Sequence, residues 1–280
     1  MLIFGTIGLF RRMIPLSSGM IALFRGLLGA AVLIVWVKLR GTPLRHGIGR
    51  RKAGLLILSG CLIGFNWILL FEAYRYTTVS IATLCYYMQP TLVLLVSLFL
   101  FREPLTWKKG CCTLMSLAGM LLISGVLEGG SASPDNGMGI LCGLGAAALY
   151  AAVVLLNKTV SGVDAYEKTV IQLFCAGTVM IPYLLLSGEG IHVPSDACTL
   201  LLLLLVGTVH TGLAYALYFG SMDGLPTQTV ALLSYVDPLS ALLLSALFLG
   251  DRLTPLGWIG AALILSSALW SEWKRPVPEA

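Results

Sequence analysis

The sequence predicts an all-α integral membrane protein with ten transmembrane helices in two inverted five-helix repeats, the first helix being shortened. Three observations predict this fold class: an apolar composition, long apolar stretches that recur along the chain, and an internal repeat. Apolar residues make up 58% of the 280 residues and charged residues only 11%, whereas soluble domains carry about 25% charged residues. The chain is therefore interpreted as a multi-pass membrane protein.

Nine stretches are long and apolar enough to be read as full spans, because a helix needs about 20 apolar residues to cross about 30 Å of hydrocarbon. A tenth stretch, residues 2–10, is too short to cross alone, and we interpret it as a shortened first helix. A signal peptide is disfavoured, since no basic segment precedes this stretch and no small-residue cleavage site follows it. The nine spans are residues 20–37, 53–71, 79–101, 107–127, 138–156, 170–187, 198–219, 227–249 and 255–270.

The basic residues are distributed unevenly between the two sides that these spans define. With the N-terminus inside, thirteen lysines and arginines lie on the cytoplasmic side, and only Arg11, Arg12, Arg75 and Arg252 lie outside. This bias fits the positive-inside rule and predicts that both termini are cytoplasmic, in a cell (inner or plasma) membrane. The net charge of +5 is thus a topology signal, and we expect no nucleic-acid partner.

Motifs for catalysis and for cofactors are missing from the sequence. The seven cysteines lie in or beside apolar segments and have no metal-binding spacing, and the three histidines are scattered. No Gly-x-Ser-x-Gly elbow, His-Glu-x-x-His motif or Walker loop occurs. We expect no enzyme activity, no cofactor and no metal site.

An internal repeat relates the two halves of the chain. An offset of 148 residues aligns residues 86–106 with residues 234–254 without a gap, so that Gln89 meets Asp237 and Pro90 meets Pro238. Because five spans is an odd number, the second half must enter the membrane from the opposite side. The predicted domains are residues 1–127, a linker at 128–137, and residues 138–280.

Asp237 is the main candidate site residue, since it lies near the middle of span 227–249 and a charge there is costly unless it borders a cavity or a partner. Pro238 and Pro90 are predicted to kink their helices and to free backbone carbonyls at membrane depth. Tyr86 and Gln89, like Ser234 and Asp237, lie three residues apart and share a helical face. The alternative is that these polar stripes only hold helices together.

Further pathway residues are predicted on the spans around Asp237. His210 is a candidate proton group or a hydrogen-bonded core residue, and Arg25 is interpreted as snorkelling, with an anion anchor as the alternative. The remaining candidates face the same predicted cavity: Asn66, Trp67, Tyr215 and Tyr235.

Residues 72–106 and 218–254, with their doubled pattern of proline, acidic residue and Leu-Thr, resemble the EamA family of the drug/metabolite transporter superfamily. The resemblance covers essentially the whole chain. It implies ten helices and a central cavity lined by the third, fourth, eighth and ninth helices. It also implies export of amino acids or other small metabolites.

Three hypotheses for function follow. The first is a secondary transporter in which Asp237 carries a proton and His210 modulates it; the second is an uncoupled facilitator or exchanger, with Asp237 binding a cationic or amine-bearing solute. The third is an intramembrane enzyme, which the missing catalytic motifs disfavour, and a membrane scaffold without transport is a remote alternative. The expected partners are a small-molecule substrate, the lipid bilayer and protons, and the sequence leaves a homodimer, the cargo, the direction and the coupling ion open.

Overall fold

A computed structural model of the chain describes residues 1–41, 48–100, 106–123, 134–160, 162–222, 233–234 and 236–273. Every regular element in these ranges is helical. The first half contains α1 (Leu2–Gly5), α2 (Ile7–Met13), α3 (Ser18–Leu39), α4 (Arg50–Tyr76), α5 (Val79–Tyr86), α6 (Gln89–Leu100) and α7 (Trp107–Ile123). The second half contains α8 (Pro134–Thr159), α9 (Ala165–Thr178), α10 (Met180–Leu186), α11 (Ala197–Gly207), α12 (Ala214–Met222), α13 (Val236–Leu244) and α14 (Pro255–Glu272), with π-helical segments at Thr208–Leu213 and Ser245–Leu249.

Six of the nine predicted spans form helical segments long and apolar enough to cross a membrane. The spans predicted at 227–249 and 255–270 contain shorter apolar helices, and the span predicted at 107–127 contains the 17 residues of α7. The spans at 107–127 and 227–249 also include residues outside the described ranges. The six segments are Ser18–Leu39, Arg50–Tyr76, Val79–Val96, Asp135–Thr159, Ala165–Leu186 and Ala197–Ser221.

The shortened first helix consists of α1 and α2, which meet at Thr6. α1 packs directly on the helix that carries Asp237, because a Cβ atom on Gly5 would lie only 2.7 Å from the backbone oxygen of Asp237. Glycine permits this close approach of two helices. The first helix therefore contributes to the surroundings of the predicted site although it is short.

A break in the helix lies beside Pro90, and π-helical geometry lies at His210. The helix predicted at 79–101 is broken at Tyr87–Met88, and Pro90 occupies the first turn of α6. Pro238 likewise lies in the first turn of α13, where the missing amide hydrogen costs no helical hydrogen bond. His210 lies within the first π-helical segment, a geometry that is frequent at functional sites.

Glycines also set the closest helix crossings elsewhere. α7 and α14 cross at Gly119 and Gly260, where a Cβ atom on either residue would lie 2.7 or 2.6 Å from the other's carbonyl oxygen. α3 and α9 also approach closely, because a Cβ atom on Gly26 would lie 2.5 Å from the backbone nitrogen of Gly177. Small residues allow this approach, which gains van der Waals contact where lipid supplies little hydrophobic driving force.

Candidate substrate site

The side chain of Asp237 is bonded to a tyrosine of the first half. Asp237 lies in the first turn of α13, and its Oδ2 accepts a hydrogen bond of 2.9 Å from the hydroxyl of Tyr87. Tyr87 lies in the break between α5 and α6, outside regular helix, and from there its side chain reaches Asp237. Both side chains are half-buried. The carboxylate therefore has a partner in the first half, and Asp237 is not fully buried.

Tyrosine rings surround this bond. Tyr86 contacts Tyr87 and Tyr150, with ring centroids 6.2 and 5.7 Å apart. Tyr86, Tyr87 and Tyr150, which we call the tyrosine cluster, come from α5, the α5–α6 break and α8. Aromatic faces bind cations and the apolar parts of solutes, whereas the hydroxyl groups bind polar parts. The arrangement suits a small amphipathic solute beside the Asp237 carboxylate.

Tyr215, predicted from the sequence, lies in a second aromatic group on α12. Its ring meets Phe4 of α1 edge-on at 5.4 Å and stacks on Phe219 at 6.1 Å. Tyr218 completes this group, with its ring 5.2 Å from that of Phe219. The first helix and the eighth predicted helix thus share an aromatic contact next to α13.

The prediction that Arg25 snorkels to the membrane surface is wrong. Arg25 is only 6% exposed, and its guanidinium lies over the ring of Trp67 at 4.2 Å. Its Nε donates a hydrogen bond of 2.9 Å to the hydroxyl of Thr211. A buried guanidinium is stabilised by the face of a tryptophan ring and by a hydroxyl group in the interior. Extending the side chain to the membrane surface would give up both contacts. Trp67 is only 4% exposed, and the Arg25 guanidinium covers one face of its ring.

His210 contacts the first helix. Its Nε2 lies 2.8 Å from the hydroxyl of Thr6, and its ring meets that of Phe10 at 4.7 Å. The imidazole is 3% exposed. His210 therefore reaches the Asp237 region through α1 and α2, by its contacts with Thr6 and Phe10.

The other predicted residues are placed as follows. Asn66 is fully buried, and its amide nitrogen donates a bond of 2.5 Å to the carbonyl oxygen of Ala146, which joins α4 to α8. Gln89 is half-buried at the first position of α6, and Ser234 is half-buried just before α13. Tyr235 lies outside the described residues.

Sequence reasoning missed two partners of the site, Tyr87 and Tyr150. The repeat alignment contained a signal for Tyr87, since it pairs with Tyr235 and neighbours the predicted Tyr86. No comparable signal marked Tyr150, which follows a run of alanines that indicates helix packing. Within the described ranges, no group of three or more histidine, cysteine or acidic residues is placed to hold a metal ion.

Comparison with known proteins identifies a family likeness over most of the chain. The sequence profile of the EamA-like transporter family matches residues 1–125 and 137–272. The "Uncharacterized transporter YxxF" of Bacillus subtilis (strain 168) is 29% identical over 253 residues, covering 90% of this chain and 80% of the relative. "Protein PecM" of Dickeya dadantii (strain 3937) is 26% identical over 220 residues, covering 77% and 72%. A solved crystal structure with 21% identity superposes with a TM-score of 0.68 and covers 96% of this chain and 92% of the other, which shows a shared fold.

Proposed function

Because the chain belongs to the EamA-like transporter family, we propose that this multi-pass membrane transporter exports small metabolites, amino-acid-like or related compounds, by alternating access. Two inverted five-helix halves, residues 1–127 and 138–280, meet around a central cavity, and both termini are cytoplasmic. The observation that carries the proposal is the 2.9 Å bond from Tyr87 of the first half to Asp237 of the second. This hydrogen bond joins the two halves, so it can break and form again as they move relative to each other, and its acceptor is an ionisable group.

Asp237 is the proposed proton carrier. In its ionised form the carboxylate accepts the hydrogen of the Tyr87 hydroxyl at Oδ2. A bound proton removes the charge, and this lowers the cost of passing through a state in which the cavity is closed to water on both sides. His210 modulates this cycle through Thr6, because α1 packs on α13 at Gly5. Solute binds beside the tyrosine cluster and leaves when the halves reorient.

A second candidate mechanism is uncoupled facilitation or exchange of an amine-bearing solute. The tyrosine cluster supports it, since aromatic faces beside a carboxylate bind ammonium groups. In this mechanism Asp237 is a ligand for the solute and stays ionised throughout the cycle. The two mechanisms differ in the driving force they require.

Purified protein in proteoliposomes tests both mechanisms with a metabolite mixture, assayed with and without a pH gradient. Proton coupling predicts accumulation that depends on the gradient, and Asp237→Asn should abolish this dependence while exchange of preloaded solute persists. Asp164→Asn is the matched control, because Asp164 is an exposed N-cap residue and asparagine caps equally well.

The outcomes separate the hypotheses. Gradient-driven accumulation that survives in Asp237→Asn would remove Asp237 from the coupling role. Gradient-independent exchange in the wild type, lost in Asp237→Asn, would favour the amine-binding mechanism. A protein that moves no solute under any condition, although it is folded, would favour the scaffold hypothesis.

A further inference from the structure

A cavity of about 780 Å³ lies away from Asp237, where helix ends and connecting segments meet. Its walls come from the end of α2, the segment that joins α2 to α3, the end of α4, and the segment that precedes α11. A volume of this size is typical of small-molecule sites. The titratable side chains that line it are Arg11, Arg12, Tyr74, Arg75, Glu189 and His192.

The charge of this lining is predominantly positive. Three guanidinium groups face one carboxylate, that of Glu189. Arg75 is partly neutralised by Glu72, with which it forms a salt bridge of 3.0 Å. Arg11 and Arg12 have no acidic hydrogen-bond partner among the described residues, since they donate to the carbonyl oxygens of Ile14 and Thr77 and to the hydroxyl of Ser18. Arg11 lies near Glu72, whose carboxylate accepts the hydrogen of the Ser18 hydroxyl to which Arg11 donates, so Arg12 is the cation at the cavity that has no acidic group near it among its hydrogen-bond partners in the described residues.

Arg11 has an unsatisfied hydrogen-bond donor next to this cavity. Its side chain is only 6% exposed, and its Nε has no hydrogen-bond partner among the described residues. A buried donor without a partner costs free energy, and a donor on a charged group costs more. The other nitrogens of Arg11 are held by Ile14 and Ser18, at 3.1 and 3.2 Å, so the guanidinium is fixed in place. Arg11 is thus a fixed guanidinium beside the cavity, with one buried donor that is not satisfied.

We propose that this cavity binds an oxyanion, a carboxylate or phosphate group of a small solute, through Arg11 and Arg12, with Arg75 and His192 as additional donors. Guanidinium groups bind carboxylates and phosphates with charge-assisted hydrogen bonds. The site goes beyond the proposed transport function, because neither Asp237 nor the tyrosine cluster lines it. It gives the transporter an anion site in this cavity, and the anion can be part of a soluble molecule or of a lipid headgroup of the same chemistry.

Thermal unfolding of the purified protein in nanodiscs of phosphatidylcholine tests the proposal, with citrate and inorganic phosphate as probes at millimolar concentration. A ligand that binds the folded state raises the unfolding midpoint in a saturable way. We expect at least one probe to do so in the wild type. Arg12→Gln should weaken that apparent affinity about tenfold to hundredfold, the range for loss of a charge-assisted hydrogen bond.

Arg252→Gln is the matched control, since Arg252 is exposed and does not line the cavity. It removes one positive charge and should leave the midpoint shift unchanged. Arg11→Gln provides a second variant, and because Arg11 also packs in the protein, Arg12→Gln carries the test if Arg11→Gln does not fold. A shift of equal size in the wild type and in Arg12→Gln would overturn the proposal, as would the absence of any saturable shift with every anion.

A further arm replaces part of the phosphatidylcholine with phosphatidylglycerol and distinguishes the source of the anion. A shift that depends on Arg12 with citrate or phosphate in neutral discs assigns the site to a soluble anion. A shift that depends on Arg12 only with phosphatidylglycerol assigns it to a lipid headgroup. Both results support oxyanion recognition at Arg12.

Discussion

Asp251 accepts a hydrogen bond of 2.9 Å from the backbone amide of Val79. Val79 is the first residue of α5, so an acidic side chain of the second half caps a helix of the first half. The same Asp251 oxygen accepts the hydroxyl hydrogen of Ser245 at 2.6 Å, and the hydroxyl oxygens of Ser245 and Ser80 lie 2.9 Å apart. These bonds anchor the beginning of α5, and the end of the same helix leads to Tyr87.

The Asp251 cap predicts a stability difference between two variants. Asp251→Ala leaves the Val79 amide and the Ser245 hydroxyl without this acceptor and should lower the free energy of unfolding by about 1–2 kcal/mol. Asp251→Asn keeps an acceptor oxygen and should lose less than half of that amount. Reversible unfolding in mixed micelles, followed by tryptophan fluorescence, measures both. Equal losses in the two variants would contradict a capping role.

The bond between Tyr87 and Asp237 predicts energetic coupling between the two halves. Tyr87→Phe keeps the ring and removes the donor, so the half-buried carboxylate loses a partner, at a cost of about 1–3 kcal/mol. In Asp237→Asn the same substitution should cost less, because the partner no longer carries a charge. A double-mutant cycle on unfolding free energies measures the difference. Additive effects would mean that the charge of Asp237 does not strengthen the bond.

The contact between Arg25 and Trp67 predicts that a lysine cannot replace this arginine. Arg25→Lys keeps the charge but loses both the planar stacking and the Nε donor to Thr211. We expect a loss of about 2–4 kcal/mol, since a desolvated cation–π contact contributes about 2 kcal/mol and a charged hydrogen bond about as much.

Arg40→Lys is the matched control for Arg25→Lys. The Arg40 guanidinium also lies over a tryptophan, Trp36, at 4.9 Å, but the side chain is exposed. We expect a loss below about 1 kcal/mol at this position. Losses of the same size at both positions would show that burial does not strengthen the Arg25 contact.

The crossing of α7 and α14 at glycine predicts opposite effects of two alanine substitutions on one helix. Gly119→Ala would place a Cβ 2.7 Å from the carbonyl oxygen of Gly260, and forcing the helices apart should cost about 1–3 kcal/mol. Gly110→Ala on the same helix meets nothing within 4 Å and should stabilise by up to about 1 kcal/mol. Thermal unfolding in detergent compares the two, and stabilisation by both would contradict the close crossing.

The membrane class and most of the helices could be predicted from the sequence, because apolar length is a local property of the chain. Six of the predicted spans reach crossing length in the described residues. The repeat alignment also pairs Asp237 with Gln89, and a shared site for these two residues stays a prediction. These inferences needed only composition, length and register.

The sequence by itself determined that apolar helices cross a membrane and that one of them carries the carboxylate of Asp237. Only the tertiary structure decided which residue each polar side chain contacts. Tyr87 is the partner of Asp237, Arg25 lies on Trp67, and the Asn66 amide is bonded to the carbonyl of Ala146. In a soluble helix, the apolar stripe indicates which face is buried. In hydrocarbon every face is apolar, so the pattern does not tell a lipid-facing side from a helix-facing one, and the partners follow from packing alone.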